Sequence, residues 1–329
     1  MTALRHGGAL DAAIARHGGA RADWLDLSTG INPVAWPVPQ LDADAWTRLP
    51  DKAALQRCLE AARRFYGVAA DAAIVAAPGT QAIIQRIASL RPQARRAAVL
   101  SPTYGEHAAV LARAGLIVEE VDELAKAGNA DIVVVVNPNN PDGREHAPEV
   151  LAAFAEQLAL RGGLLVVDEA FGEVTPHLSV CGLAGRESML VLRSFGKFFG
   201  LAGLRLGFAV GGPETVARLA ADLGPWAVSG PALEIGARAL NEKGWFEVTW
   251  ARLSRDAAAL RALLVGHDFK ILGGTDLFVL AARADAADVA ERLARAHVLV
   301  RSFDGFANRL RFGLPADEAG FRRLGVALR

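Results

Sequence analysis

The chain has 329 residues, a length that suggests two domains or one large domain with a smaller companion. Hydrophobic residues make up 52% and charged residues 22%, so the composition excludes an intrinsically disordered chain. Lys and Arg together number 36, as do Asp and Glu, and the resulting net charge of zero gives no general attraction to nucleic acid or acidic membranes.

The chain contains two cysteines, Cys58 and Cys181, and no C-x-x-C motif. This pattern predicts neither a disulfide framework nor a cysteine zinc site, and no metal is expected. No apolar stretch approaches the roughly 18 residues of a membrane-spanning helix. The N-terminal sequence also lacks the long apolar segment of a signal peptide, so we expect a cytoplasmic protein.

Short apolar runs alternate with helix-like stretches through the first two thirds of the chain, which favours an α/β fold. The run IVVVV at 132–136 is typical of these apolar segments: it is rich in β-branched residues and does not alternate with polar ones, as in strands buried on both faces of a parallel sheet. The predicted strands are 74–77, 97–100, 132–136, 164–167, 190–192 and 206–210, with helices at 81–89, 106–114 and 148–160.

Beyond about Gly211 the pattern changes to long Ala-, Leu- and Arg-rich helices followed by a few strands. This order predicts a smaller α+β domain. Its predicted elements are helices at 213–223, 232–240, 245–264 and 285–296, strands at 277–281, 298–300 and 310–312, and a closing helix.

Polar and aromatic residues directly follow five of the predicted strands. Because ligands bind beyond the carboxyl ends of the strands in an open α/β sheet, we expect these residues to form a site. They are Gly79-Thr80-Gln81, Ser101–Tyr104, Asn137–Gly143, Asp168–Phe171 and Arg193–Lys197. Gly79-Thr80 suits an anion at a helix start, although a simple N-capped helix has the same sequence.

Three common site motifs are absent or incomplete. The fingerprint G-x-G-x-x-G does not occur, and Lys197 is followed by Phe198, so no P-loop is present. Residues 194–197 match S-x-x-K, but the companion motifs S-D-N and K-T-G of acyl-serine enzymes are missing.

Lys197 lies among three phenylalanines, an apolar setting that favours a neutral, nucleophilic amine. A surface lysine beside a buried aromatic cluster is the alternative. Arg205 follows eight residues later and offers a forked grip for a phosphate group.

Taken together, Asn140-Pro141-Asp142-Gly143, Asp168-Glu169-Ala170-Phe171, Ser194-x-x-Lys197 and Arg205 resemble the fold-type-I pyridoxal-phosphate enzymes of the class I/II aminotransferase superfamily. The resemblance implies a large coenzyme domain with a mostly parallel sheet flanked by helices over 26–225, and a smaller α+β domain over 226–329. An N-terminal arm, 1–25, is expected to associate with the smaller domain. The resemblance also implies a homodimer.

Within this superfamily the sequence looks like the threonine-phosphate decarboxylases of cobalamin biosynthesis, which are close cousins of histidinol-phosphate aminotransferase. The segments that carry this narrower resemblance are His6-Gly7-Gly8, Leu27–Pro33, Asp168–Phe171 and Pro225–Val228.

The resemblance assigns coenzyme roles to residues of the predicted rim. Lys197 would hold pyridoxal 5'-phosphate through its amine and later move protons at the substrate carbon. Asp168 would pair with the ring nitrogen, which keeps the ring electron-accepting. Tyr104 would stack on the ring face and Asn140 would bond the ring oxygen. The phosphate and its surroundings would be held by Gly79, Thr80, Gln81, Ser194 and Arg205.

The resemblance also implies substrate contacts outside the rim. Arg311 matches the arginine that grips the amino-acid carboxylate, and Arg301 matches a contact to the substrate's own phosphate. Asn32 lies on the loop that covers the carboxylate, and His6 belongs to a segment near the site. For His6 and Asn32 a purely structural role is the alternative, and for Arg301 the alternative is a plain surface residue.

The chain departs from the family pattern at two positions. Many relatives carry Arg-Tyr-Pro-Asp, whose tyrosine reaches the partner subunit's coenzyme, where this chain has Leu49. Phe171 stands where aminotransferases commonly have a tyrosine, and phenylalanine also occurs in the decarboxylases. The resulting hypothesis is decarboxylation of L-threonine O-3-phosphate. A histidinol-phosphate-type aminotransferase and a coenzyme-binding partner subunit without turnover are the alternatives.

Overall fold

The structure, a computed structural model, describes residues 7–329. Their contacts divide the chain into two compact units. The first, the sheet unit, comprises Trp36–Asn140 and Arg144–Trp245. The second, the terminal unit, comprises the residues up to Ala35, Pro141–Gly143 and Phe246–Arg329.

Both boundaries between the contact-defined units lie later in the chain than the predicted domain boundaries. At the first boundary, β1 (Leu25–Leu27) pairs in parallel with β11 (Val298–Ser302), so residues predicted for the large domain lie in the terminal unit. At the second, a helix at Gly230–Ala239 packs against Lys52–Phe65 and thereby belongs to the sheet unit. Both boundary positions are set by contacts between elements that are distant in the sequence, and composition does not reveal these contacts.

The sheet unit contains seven strands and eight complete helices. Its strands are β2 (Ala73–Ala77), β3 (Arg96–Leu100), β4 (Ile117–Val121), β5 (Ile132–Val136), β6 (Leu164–Asp168), β7 (Met189–Ser194) and β8 (Gly207–Gly211). Its helices are α2 (Asp44–Thr47), α3 (Lys52–Phe65), α4 (Thr80–Ile84), α5 (Glu106–Arg113), α6 (Pro148–Ala159), α7 (Phe195–Phe198), α8 (Pro213–Leu223) and α9 (Gly230–Ala239).

The seven strands form one mixed sheet in the order β2-β8-β7-β6-β5-β3-β4. All pairs from β4 to β7 are parallel, whereas β8 runs antiparallel to both of its neighbours. Every residue of β5, β6, β7 and β8 is buried, which is why their sequences are apolar apart from the polar residues at the carboxyl ends of β6 and β7.

Two local features of this unit differ from the sequence-based expectation. The edge strand β4 was not predicted, because its sequence IVEEV is largely exposed and carries two glutamates. The helix predicted over 81–89 ends as α4 at Ile84 and is followed by a separate 3₁₀ turn at Ala88–Leu90.

The terminal unit is built on a five-stranded sheet in the order β1-β11-β12-β10-β9. Apart from the parallel β1–β11 pair, its strands are antiparallel. The remaining elements are α1 (Leu10–His17), most of α10 (Lys243–Val265), β9 (Lys270–Thr275), β10 (Phe278–Ala282), α11 (Ala286–Arg295), β12 (Arg309–Gly313) and α12 (Glu318–Leu328). Among residues 7–329, no helix is both long and apolar enough to span a bilayer.

Candidate active site

The carboxyl ends of the parallel strands bring several predicted site residues together in the sheet unit. Asp168 is the last residue of β6, one residue beyond the predicted strand end, and its side chain is buried. Ser194 ends the adjacent β7, and α7, which carries Lys197, begins at the next residue. The topology thus places the carboxylate, the hydroxyl and the amine at one edge of the sheet.

The Asp168 carboxylate has a partner that the sequence did not reveal. Its Oδ2 lies 2.9 Å from Nε2 of His107, and its Oδ1 accepts a hydrogen bond of 3.0 Å from the Ala170 N–H. His107 lies in the first turn of α5 and is fully buried. The signal available in the sequence was the Tyr104-x-x-His107 spacing, which puts both side chains near the start of one helix.

Tyr104 is held by a chain of polar contacts. Its hydroxyl donates to Oε1 of Gln81 at 3.2 Å, and Nε2 of Gln81 donates to Oε2 of Glu106 at 3.0 Å. Burial raises the pKa of Tyr104 to about 12, with Glu106 and Asp168 adding to the rise. Since the phenol stays protonated at neutral pH, it can act as a hydrogen-bond donor. The ring also meets that of His107 edge-on, with centroids 5.9 Å apart.

Gly79, Thr80 and Arg205 lie against one another at the start of α4. Gly79 has φ +83°, and a Cβ there would come within 2.5 Å of Nη2 of Arg205. A Cβ on Gly207 would come within 2.7 Å of the Thr80 nitrogen. Arg205 itself has a left-handed backbone, with φ 56°, and donates to the Ala202 carbonyl at 2.9 Å. Two glycines therefore allow the backbone and the guanidinium group to converge.

Lys197 projects from α7 in an aromatic environment. Its Nζ lies 5.6 Å from the centre of the Phe171 ring. Phe195 and Phe199 are fully buried and stack with their centroids 4.2 Å apart, and Trp245 also stacks with Phe199, with centroids 5.6 Å apart. The short helix that carries the amine thus lies in a cluster of packed aromatic rings.

Asn140 follows a loop that is tied to the Tyr104 loop. The hydroxyl of Thr103 donates to Oδ1 of Asn139 at 2.6 Å, and Nδ2 of Asn139 donates to the Pro102 carbonyl at 2.9 Å. Asn139 is buried, whereas Asn140 is partly exposed. The sequence analysis singled out Asn140 and missed the linking role of its neighbour, because that role depends on a partner 36 residues away.

A buried cluster of charges lies beside Asp168 and Ser194. Arg193 pairs with Glu169 and, at 3.1 Å, with Glu173, and all three side chains are nearly inaccessible to solvent. Glu169 also accepts from Ser179 Oγ and the Val180 N–H, each at 2.7 Å. Burial raises the pKa of Glu173. The cluster ties the residue after Asp168 to the residue before Ser194.

The predicted substrate residues that the structure describes, Asn32, Arg301 and Arg311, belong to the terminal unit. Arg301 on β11 and Arg311 on β12 are direct cross-strand partners. Arg311 is buried and donates to the Ser28 carbonyl at 2.8 Å. Burial, with a further contribution from Arg301, lowers the pKa of Arg311 to about 9. His6 lies outside the described residues.

The residues of the sheet unit form a set that suits pyridoxal phosphate. A glycine whose Cβ would collide with a guanidinium leaves room for an anion beside Arg205. The buried Asp168 carboxylate, paired with His107, suits a protonated ring nitrogen. The Lys197 amine lies on α7, which directly follows the neighbouring strand. Within residues 7–329, no cluster of three or more His, Cys, Asp or Glu side chains is arranged to hold a metal ion.

The sequence matches the family described as aminotransferase class I and II over residues 22–324. The chain belongs to this family.

Similarity to individual members of the family extends over nearly the whole chain. A threonine-phosphate decarboxylase of Sinorhizobium sp. is 48% identical over 98% of this chain and 97% of its own length. A threonine-phosphate decarboxylase of Pseudomonas aeruginosa is 42% identical over 99% and 97%. The crystal structure of histidinol-phosphate aminotransferase from Sinorhizobium meliloti in complex with pyridoxal-5'-phosphate has a TM-score of 0.85 at 21% identity, covering 100% of this chain and 98% of that one.

These comparisons confirm the expected fold. The α/β sheet unit and the smaller α+β unit together have the fold of the class I and II aminotransferases, the fold-type-I pyridoxal-phosphate architecture. The roles of individual site residues stay predictions, and they are proposed below.

Proposed function

We propose that this chain is a pyridoxal-phosphate-dependent decarboxylase that converts L-threonine O-3-phosphate to (R)-1-aminopropan-2-ol phosphate, a side-chain precursor for corrinoids. The observation that carries the proposal is the Arg301–Arg311 pair. The pair places two guanidinium groups opposite each other on neighbouring strands. A substrate with two anionic groups, a carboxylate and a phosphate, suits two cations placed in this way.

The names of the similar proteins support this choice over the alternatives. The two relatives at 48% and 42% identity are both named threonine-phosphate decarboxylase. Phe171 adds modest support, because it replaces the tyrosine common in aminotransferases. A histidinol-phosphate-type aminotransferase and a non-catalytic partner subunit are the less favoured candidates.

Pyridoxal phosphate, when bound, draws electrons from the bond that breaks at the substrate's α-carbon. We assign the ring nitrogen to Asp168, whose carboxylate lies within hydrogen-bond distance of His107 and the Ala170 N–H. Tyr104 would pack on the ring face, and Asn140 would donate a hydrogen bond to the ring oxygen. The coenzyme phosphate would be surrounded by Gly79, Thr80, Gln81, Ser194 and Arg205.

The remaining steps are carried out by Lys197 and the two arginines. Arg311 grips the substrate carboxylate and Arg301 its phosphate, which fixes which bond at the α-carbon breaks. In decarboxylation the C–C bond to the carboxylate breaks and CO₂ leaves, while its electron pair stays at the α-carbon. Lys197 then delivers one proton to that carbon. An aminotransferase would instead remove the α-proton and leave the carboxylate in place.

A panel of three amino acids tests the substrate assignment. Purified protein supplied with pyridoxal phosphate is incubated with L-threonine O-3-phosphate, L-serine O-phosphate and L-threonine, and CO₂ release is measured. The proposal predicts release from the first at the highest kcat/KM and at least about 100-fold less from threonine, which lacks the second anion. No release from phosphothreonine contradicts it.

We further propose that the protein works as a homodimer. Three large apolar side chains of the sheet unit, Trp46, Leu49 and Trp226, are each more than 60% exposed. A Cβ on Gly230 would come within 2.4 Å of the Ala45 carbonyl, so the segments that carry these side chains are neighbours. A second copy that covers this patch removes the apolar area from water. Light scattering of W46E is expected to show monomers, whereas the exposed control L160E stays dimeric.

A further inference from the structure

Asn32 is a buried side chain whose amide orientation is fixed by the structure. It is 1% exposed, and its Oδ1 accepts from the Val34 N–H at 3.1 Å and from Nη2 of Arg252 on α10. With two donors at the oxygen, the amide cannot rotate by half a turn without placing its own NH₂ group against them. Nδ2 is therefore the end of the side chain that serves as donor.

Arg252 is positioned to hold Asn32, and a neighbouring carboxylate balances most of its positive charge. It lies within the terminal unit, as Asn32 does, and its side chain is 18% exposed. Its Nη1 pairs with Asp256 at 3.2 Å, one helical turn along α10. Because the guanidinium group is planar and forked, one side chain reaches the carboxylate and the amide together.

The segment that carries Asn32 touches the arginine pair. The carbonyl of Ser28, four residues earlier, accepts the hydrogen bond from Arg311. A Cβ on Gly313 would come within 2.2 Å of the Thr29 carbonyl, so the same segment lies directly on β12. A shift of the segment is thus transmitted to the Arg311 side chain through backbone contacts.

We propose that Arg252 is a positioning residue for substrate binding: it locks the Asn32 amide so that Nδ2 donates to an anionic oxygen of the substrate. This inference rests on the proposed function, in which Asn32 contacts the substrate. Arg252 acts through Asn32 and does not touch the substrate itself. Either the carboxylate or the phosphate of the substrate supplies such an oxygen, and the ligands used in the test distinguish the two.

The test compares Arg252→Lys and Arg252→Met with a matched control on the same helix. Lysine keeps a cation for Asp256, so a folded protein is expected. It lacks the forked guanidinium group that reaches Asn32. The control is Arg255→Met, since Arg255 also pairs with Asp256, at 3.3 Å, but is 71% exposed. Both Arg252 variants are expected to raise KM for phosphothreonine about tenfold with kcat changed less than about twofold, and the control to change neither.

A double variant separates positioning from general destabilisation. If Arg252 acts through Asn32, N32A/R252K binds phosphothreonine no more weakly than N32A alone. Additive losses, a loss of kcat at unchanged KM, or equal effects in Arg255→Met overturn the proposal. Two further ligands identify the group that Asn32 contacts, because aminopropanol phosphate lacks the carboxylate and threonine lacks the phosphate. The ligand whose binding is insensitive to R252K is the one that lacks the contacted group.

Crystal structures of R252K and R255M test the inference independently of turnover. The proposal predicts a rotated Asn32 amide or a displaced 28–34 segment in R252K and neither in R255M. An unchanged Asn32 in R252K overturns it. Wild-type protein that releases no CO₂ from phosphothreonine contradicts the proposed function, and these two structures still decide the role of Arg252.

Discussion

His107 and Asp168 form a fully buried pair, with Nε2 and Oδ2 2.9 Å apart, at the end of a central strand. The two residues come from different elements, α5 and β6, which are 61 residues apart in the sequence. A buried carboxylate needs hydrogen-bond partners, and His107 and the Ala170 N–H each supply one to Asp168. The pair makes Asp168, the carboxylate that we propose binds the coenzyme, dependent on a residue that does not itself reach the coenzyme in the proposed arrangement.

Replacing His107 by leucine is therefore expected to weaken coenzyme binding. The change leaves Oδ2 of Asp168 without this partner in a buried site, a loss of about 1–3 kcal/mol, or roughly 5- to 150-fold in the dissociation constant of pyridoxal phosphate. Fluorescence titration of the coenzyme-free protein measures that constant. His107→Gln can still donate to the carboxylate and is expected to stay within a few-fold of wild type. Equal affinities in the leucine variant and wild type would rule out the dependence.

Gly79→Ala is expected to damage the proposed phosphate cradle. Its Cβ would meet the Arg205 guanidinium group at 2.5 Å, so the arginine must move away from the site. Gly115→Ala is the matched control, since φ there is +89° and no atom lies within 4 Å of the added Cβ. Both variants bear a backbone cost of about 1 kcal/mol. Only G79A is expected to lose coenzyme affinity in the same titration, and a parallel loss in G115A would show that strain alone is responsible.

The arginine pair predicts a pH dependence of substrate binding. The pKa of Arg311 is lowered to about 9, first by burial and then by the charge of Arg301. As the pH rises above that value the guanidinium group loses its proton, and kcat/KM for phosphothreonine is expected to fall. The substrate's own amine titrates in a nearby range, so the limb alone is not diagnostic.

The comparison with Arg301→Gln isolates the contribution of the pair. Removal of the neighbouring cation raises the pKa of Arg311, and the alkaline limb of the kcat/KM profile is expected to move to higher pH. The shift is read from the midpoint of the limb, because the variant also lowers the plateau. Superimposable limbs in the two proteins would contradict electrostatic coupling between Arg301 and Arg311.

The buried ion pairs of Arg193 are expected to contribute more to the free energy of unfolding than an exposed ion pair of the same sheet. Arg193→Met leaves Glu169 buried without its cation, which costs about 3–5 kcal/mol in the free energy of unfolding. Arg96→Met removes the exposed pair with Glu119 on a neighbouring strand and is expected to cost less than about 1 kcal/mol. Urea denaturation measures both. Similar losses in the two variants would mean that burial does not set the value of the Arg193 contacts.

Much of the sheet could be predicted from the sequence, because its central strands are buried on both faces. β5 reads IVVVV and was predicted with its observed bounds, whereas the exposed edge strand β4 gave no such signal. The helix at 81–89 was predicted too long, since apolar spacing does not reveal where a helix gives way to a 3₁₀ turn. The unit boundaries depend on the pairing of β1 with a strand some 270 residues away, which local composition does not encode.

Sequence reasoning reached the candidate site only at residues that closely follow a strand. Asp168, Ser194 and Lys197 were predicted in this way, and the structure places them at one edge of the sheet, while their roles stay predictions. His107, Asn139 and Arg252 were missed because each contacts a partner that is distant in the sequence. The position of Arg301 directly opposite Arg311 likewise became visible only with strand pairing.

We propose that this chain breaks the bond to the carboxylate and not the bond to the α-proton. Purified protein with pyridoxal phosphate and L-threonine O-3-phosphate is incubated with and without 2-oxoglutarate, and CO₂, aminopropanol phosphate, glutamate and keto acid are quantified together. Decarboxylation yields equal amounts of CO₂ and aminopropanol phosphate, at a rate that 2-oxoglutarate is not expected to change. Glutamate formation that requires 2-oxoglutarate, without CO₂, would contradict it.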